Sequence, residues 1–310
     1  MSTKDKTDKY IVSSCANCGR GEEESDKLKA CTACKLVKYC NRECQIAHRP
    51  QHKKECRKRA AELHDEKLFK QPPPKEDCPI CLLRIPTHHT GSKYMSCCGK
   101  TICTGCACAP VYDNQGNRVD NEKCPFCRTP WPTSDEDDIR RYKIRVEAND
   151  AEAMYNMGCY YRKGIFGLPQ DRAKALELWH QAAELGHATA YNNIGSAYYN
   201  SGEGVEVDKK KAGHYYELAA MVGDEYSRHN LGLNEIRAGN IDRALKHLMI
   251  AVGAGFADSL EKIQQLYSIG SATKDDYTKA LQSYQAYLGE IKSRQRDEAA
   301  ACDNEQYRYY

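Results

Sequence analysis

In the second half of the chain apolar residues recur at helical spacing, and the blocks that carry them recur as well. Gly158, Gly195 and Gly232 stand 37 residues apart, each directly after an apolar residue. Gly186 and Gly223 are also 37 apart, and Gly255 follows after 32. Ala153-Met154-Tyr155-Asn156-Met157-Gly158 aligns with Ala190-Tyr191-Asn192-Asn193-Ile194-Gly195, and Ala182–Gly186 returns as Ala219–Gly223. A period in the thirties with this spacing predicts stacked helix pairs over residues 150–290. The glycines after Met157 and Ile194 predict close approach of the two helices of a pair. Gly186 and Gly223 fall where a helix ends and a left-handed backbone is wanted. Asp171 and Asp208 are placed to cap second helices. Trp179 and Tyr216 occupy matching positions as inter-helix core, and the recurrent tyrosines read as packing too. The third block lacks five loop residues and turns at Ala238-Gly239-Asn240. The fourth, Phe256 to Tyr287, is degenerate and carries Gln264 at the glycine position, as a terminal cap would. Residues 291–310 are expected to prolong the last helix and then fray.

The first half has no such periodicity. Its pattern is set by cysteine: sixteen of the chain's 18 lie between Cys15 and Cys127. The first run is Cys15-x2-Cys18, Cys31-x2-Cys34, Cys40-x3-Cys44 and His52-x3-Cys56; the second is Cys78-x2-Cys81, Cys97, Cys98, Cys103-x2-Cys106 and Cys124-x2-Cys127. Pairs this close let one tight turn, or one turn of helix, aim both ligands at a single ion, and two pairs complete a tetrahedron. The spacing predicts about four zinc ions, two in each run. Closed four-ligand sites leave no position for a reactive water, which argues against zinc catalysis. Cys159 and Cys302 are isolated and read as a packed thiol and a tail thiol.

Composition agrees with small metal-stapled modules ahead of a metal-free scaffold. The hydrophobic fraction is 41% of 310 residues and the formal charge is +3, so bulk electrostatics do not argue for nucleic acid. The N-terminal MSTKDKTDKY has no apolar core and does not read as a secretory signal; residues 1–14 are expected to be disordered. No apolar run of about 18 residues exists to span a membrane, and paired thiols fit a reducing compartment, so the chain is expected to be intracellular, cytoplasmic or nuclear. Lys53-Lys54-Glu55-Cys56-Arg57-Lys58-Arg59 is basic, but acidic residues return within a turn, so it reads as a solvated helix face leading through residues 57–77 to a stiff Gln71-Pro72-Pro73-Pro74 linker.

In the first run, Cys40 with Cys44 and His52 with Cys56 are each four apart and suit one helical face. Twelve residues separate Cys44 from Cys56, and Pro50 is expected to interrupt the helix, so each couple must recruit a pair from the preceding loops. The pattern over 15–56 resembles the MYND-type zinc finger, with all eight ligand positions filled. The resemblance implies interleaved sites: Cys15, Cys18, Cys40 and Cys44 on one ion; Cys31, Cys34, His52 and Cys56 on the other. His48 competes by spacing, but only His52 keeps the family spacing to Cys56. MYND fingers bind short proline-containing peptides; Gln45 matches a position of that groove, while Arg49 stands where many members have Trp.

The second run, with CPIC, CCGKTICTGC and CPFCR, resembles a RING-type finger over 78–130. That resemblance implies one ion on Cys78, Cys81, Cys103 and Cys106, and a second on Cys124 and Cys127 with two ligands from the middle segment. The usual Cys-x-His is Cys98-Gly99-Lys100 here. Cys97 and Cys98 are the obvious pair, with His88, His89 and Cys108 as alternatives. RING fingers recruit a ubiquitin-conjugating enzyme and orient its ubiquitin. Ile80 and Pro125 match apolar docking positions for that enzyme, and Arg128 matches the cationic clamp on ubiquitin.

After an acidic linker and lead-in helix, 131–149, the repeats resemble Sel-one-like repeats, relatives of tetratricopeptide repeats. The fold expected is small zinc-stapled modules, MYND and RING, followed by an all-α helical-repeat solenoid. The function this order implies is a zinc-dependent ubiquitin ligase, with protein partners chosen by the repeats and the MYND finger. The rival is a non-enzymatic adaptor, since no module carries a catalytic dyad. A lysine methyltransferase would need a cofactor-binding domain, and no motif for one is present.

Overall fold

The computed structural model describes residues 14–21, 28–87, 90–112, 114–119 and 122–302. The chain divides into two units, Met1–Lys70 and Gln71–Tyr310.

In the first unit, strand β1 (Lys29–Ala30) pairs antiparallel with β2 (Lys38–Tyr39), Lys29 opposite Tyr39. Helix α1 (Arg42–Leu68) follows, its first turn capped by the Asn41 side chain, which accepts from the Cys44 amide. The helix runs unbroken through Pro50, which corrects the expectation that proline interrupts it. A proline at this position deprives only the Ile46 carbonyl of its intrahelical donor. Ile46 is 60% exposed, so the lost bond falls on a solvent-facing part of the helix. The buried cluster of this unit is Cys15, Leu28, Cys31, Cys34 and Tyr39, with His52 also buried. Only two of the cluster's members are large apolar side chains, too few for a self-sufficient core.

The second unit opens with a small finger. Strands β3 (Ser92–Met95) and β4 (Lys100–Cys103) form an antiparallel hairpin, Met95 opposite Lys100. Helix α2 (Thr104–Ala107) follows at once, then a short pair, β5 (Val111–Tyr112) and β6 (Arg118–Val119). Ile85, Met95 and Ile102 fill the centre between buried cysteines, with Trp131 packed against them.

Helix α3 (Asp135–Glu147) is capped by Ser134 and leads into four helix pairs. These are α4 (Ala151–Lys163) with α5 (Arg172–Glu184), α6 (Ala188–Tyr199) with α7 (Lys209–Val222), α8 (Glu225–Arg237) with α9 (Ile241–Gly253), and α10 (Ala257–Ser268) with α11 (Lys274–Ile291). Asp150, Asp171, Asp208 and Asp224 accept from first-turn amides at four of these starts, and Thr273 with Asp276 makes a reciprocal capping box at a fifth. The periodic glycines have the predicted use. A Cβ on Gly158 would lie 2.6 Å from Trp179, one on Gly195 2.8 Å from Tyr216, and one on Gly232 3.0 Å from Leu248. Each position is thus where the paired helix presses its large residue onto bare backbone. The core along the stack is alanine-rich: Ala153, Ala175, Ala182, Ala190, Ala212, Ala219 and Ala244 are wholly buried. Tyr155, Tyr161, Tyr191, Tyr198 and Tyr215 pack around Trp179 and Ile194.

Two features depart from the linear expectation. The last helix is not prolonged: Lys292 is extended (ψ 136°) and the chain turns into a separate helix, α12 (Arg294–Cys302). The proline-rich segment is not free of the repeats. A Cβ on Gly223 would sit 3.5 Å from Pro72, and Lys75 pairs with Glu225 at 3.1 Å. The segment therefore runs past the turns between repeats before the finger begins.

That finger is bonded to both ends of the helical stack. Near the start, Tyr94 Oη donates to Asp150 (2.7 Å) and Ser96 Oγ to Asp138 (2.5 Å). Near the end, Arg84 pairs with Glu290 (2.6 Å), and Thr87 donates through its amide to Tyr287 Oη (2.8 Å) and through Oγ1 to the Ala254 carbonyl (2.5 Å).

Candidate metal centres

Four of the five Cys-x2-Cys pairs are built as the same turn, whereas Cys103 caps helix α2 and Cys106 lies on it. Gly19, Lys35, Leu82 and Arg128 each donate an amide to the carbonyl of the first cysteine four residues back, at 2.8–3.0 Å. All four of those residues have positive φ, between 56° and 77°. The left-handed residue lets the chain double back and leaves both thiols on the same side of the turn. Backbone amides surround the sulfurs. Burial pushes the Cys15 thiol up, but the amides of Cys18, Cys40 and Asn17 outweigh it and hold the group at about 6.

Sixteen ligands gather into four groups, the donor atoms of each lying within 4.8 Å of one another: Cys15, Cys18, Cys40 and Cys44; Cys31, Cys34, His52 and Cys56; Cys78, Cys81, Cys103 and Cys106; Cys97, Cys98, Cys124 and Cys127. Zinc–sulfur bonds of about 2.3 Å at tetrahedral angles put sulfurs about 3.8 Å apart. The observed sulfur separations include 3.6 Å for Cys18–Cys40, 3.7 Å for Cys31–Cys56, 3.8 Å for Cys81–Cys103 and 4.0 Å for Cys98–Cys124. Disulfides would need about 2.05 Å, and the cysteines of these four groups form none. The donor chemistry and spacing fit zinc, held structurally by four protein ligands.

His52 Nε2 lies 3.1 Å from Cys34 Sγ. His48 instead faces Tyr39, Nδ1 to Oη 3.1 Å, and stacks on His52 at 5.6 Å. Cys97 and Cys98 can share one group because Gly99 (φ 68°) closes the hairpin turn behind them, its amide donating to Met95. Arg145 of α3 holds this turn from outside, donating to the Cys97 carbonyl at 2.6 Å and the Ser96 carbonyl at 3.3 Å. Cys108 is exposed at the end of α2 and outside the groups. His88 and His89 fall outside the described residues. Gln45 is half-buried on α1, beside exposed Ile46.

On the second finger's turns, Ile80 is 39% exposed and Pro125 half-buried, while Arg128 is exposed at the left-handed position that closes its turn. Two apolar neighbours that sequence reasoning did not single out are Leu82, 74% exposed, and Phe126, 43% exposed. The available signal was an apolar residue inside a zinc turn, where no core lies within reach of it.

A cleft of about 470 Å³ opens between this finger and the first repeat, lined in part by Glu76, Asp77, Lys100, Asp150, Glu152 and His187. Burial pushes the Glu152 carboxyl up, but His187, 3.0 Å away and stacked on Tyr155, outweighs it and leaves the carboxyl below its usual range.

Comparison with known proteins matches the MYND finger model over residues 15–56 and the Sel1 repeat model over 151–187 and 188–224. The chain carries a MYND finger and Sel1 repeats. Over 116 residues it is 27% identical to the ERAD-associated E3 ubiquitin-protein ligase component HRD3B of Arabidopsis thaliana, covering 36% of this chain and 18% of that protein. Among solved structures, a Sel1 repeat protein from Oxalobacter formigenes is 26% identical (TM-score 0.41; 54% of this chain, 64% of the other). The antigen c5321 of uropathogenic Escherichia coli, with an SLR fold, is 20% identical (TM-score 0.39; 59% and 45%). The chain thus spans less than two thirds of each of these relatives. Ahead of the Sel1 repeats, the second finger has the two interleaved metal groups that its RING resemblance implies. MYND finger and Sel1 repeats together make this a zinc-binding protein of protein–protein interaction modules. No helix of the described residues is long and apolar enough to cross a membrane.

Proposed function

We propose that the protein is a RING-type ubiquitin ligase, its second finger docking a ubiquitin-conjugating enzyme while the Sel1 repeats and MYND finger recruit protein substrates. The observation that carries this is the exposure of Ile80, Phe126 and Arg128 on metal-held turns. Exposed apolar groups on a rigid turn lose water on docking at little conformational cost. An arginine beside them offers several donors in a fixed plane to a ubiquitin tail or surface. The closed metal groups supply no nucleophile, so such a ligase acts by positioning. That a relative is named as a ligase component adds support. The thiol-rich metal groups favour a reducing compartment, cytoplasmic or nuclear.

The test is ubiquitin-chain formation by the zinc-loaded protein with a panel of conjugating enzymes. Ile80→Ala is expected to abolish chains without unfolding the finger. For the clamp, Arg128→Gly is the better variant than alanine, because glycine keeps the left-handed turn (φ 62°) while removing the charge. Its chains should fade by about 10-fold or more, the effect of losing one positioned charged contact of about 1.5–3 kcal/mol. Full activity in Ile80→Ala would refute the docking face. No chains with any enzyme, from protein holding its zinc, would leave the adaptor function in its place.

A further inference from the structure

Arg296, on α12, is only 1% exposed. Its guanidinium donates to the carbonyls of Arg84 (2.9 Å), Ile291 (2.6 Å) and Leu83 (3.3 Å), and to Cys81 Sγ (3.6 Å). Among the described residues none of its partners is a carboxylate. A buried cation without a counter-charge is strongly destabilising. The sulfurs it faces are those of Cys81 and Cys103, two ligands of the group completed by Cys78 and Cys106. Zinc with four thiolates carries about two net negative charges, a surplus that suits one adjacent cation.

The contact is wider than one side chain. Gln295 Nε2 donates to the Gly105 carbonyl (3.2 Å) and approaches Cys106 Sγ (3.7 Å). A Cβ on Gly105 would lie 2.8 Å from Arg296 Cγ and 3.1 Å from its Cα, so α12 rests directly on the backbone of the helix that carries Cys106.

We propose that Arg296 is the outer-sphere partner of the Cys78, Cys81, Cys103 and Cys106 zinc centre, and that metal at this centre seats α12 on the finger. The coupling is reciprocal: the assembled metal–thiolate centre is the anionic partner of buried Arg296, and the seated helix shields the metal. It is independent of ligase activity.

The test uses the full zinc-loaded chain under challenge by a chromogenic chelator. Arg296→Met, which keeps the stem and removes the charge, should release one zinc in about four roughly 10–100-fold faster, the usual effect of an outer-shell loss. Gly105→Ala alters no ligand and no charge but wedges α12 away, and should do the same. Hydrogen exchange gives a second readout. Cys81→Ser should raise exchange over 294–302, whereas Cys127→Ser, in the finger's other centre, should not. Release profiles equal to the parent in both Arg296→Met and Gly105→Ala would overturn the assignment. So would equal acceleration of every zinc, or equal exchange over 294–302 in the two cysteine variants.

Discussion

Cys34→Ala is expected to unfold residues 28–68 while the helical signal of α4–α9 survives. The magnitudes decide this. Cys34 closes the buried centre with Cys31, His52 and Cys56, and structural zinc contributes roughly 10–16 kcal/mol of folding free energy in modules of this size. Against that, the large apolar side chains buried among these ligands are Leu28 and Tyr39, which at about 1.5–3 kcal/mol each cannot hold residues 28–68 in place. Helix α1 offers no second anchor, since of its 27 residues only His52 and Leu68 are buried. The Sel1 helices differ because their wholly buried alanines pack without metal. Circular dichroism with hydrogen exchange across both regions checks it. Protection persisting over 28–68 in the variant would show that the finger folds on something other than zinc.

A second large effect is expected at Gly255. Its backbone is left-handed (φ 94°), and a Cβ would come 2.2 Å from the ring of Tyr287. That ring is 2% exposed and cannot swing away. It also carries the joint between finger and repeats, accepting from the Thr87 amide and lying 5.3 Å beneath the Arg84 guanidinium. Gly255→Ala therefore combines backbone strain with overpacking, about 2–5 kcal/mol together. Tyr287→Phe keeps the ring and loses only the hydroxyl's hydrogen bond, about 1 kcal/mol. Urea unfolding followed by helical signal distinguishes them. A loss below about 1 kcal/mol in Gly255→Ala would mean that the turn accommodates a side chain.

The parts of this molecule that were legible in its sequence are those set by short-range rules. Ligand pairs announce themselves because one turn must aim two donors. The repeats do so because a glycine meets a large residue at the same offset every 37 positions, as with Gly158 on Trp179 and Gly195 on Tyr216. What was not legible depends on single long-range contacts. Arg296 sits in SRQRDE, which has the composition of a solvated helix, and nothing local says that one of its charges is buried against thiols 215 residues away. Gln71–Lys75 reads as a spacer because proline stiffness is local, whereas its packing depends on Gly223 and Glu225. Pro50 misled for the same reason: the local rule counts a lost hydrogen bond, but only exposure decides whether water replaces it.

The bonds from one finger to helices at both ends of the stack have a consequence for the number of repeats. An open solenoid tolerates a repeat gained or lost, since each unit touches only its neighbours. Here Tyr94 and Ser96 reach the first helices while Arg84 and Thr87 reach the last. Adding or deleting one helix pair would move those two ends apart or together by the width of a repeat, and one set of bonds would have nothing to meet. The finger acts as a ruler for the array, and the chain can vary its repeats in sequence far more freely than in number.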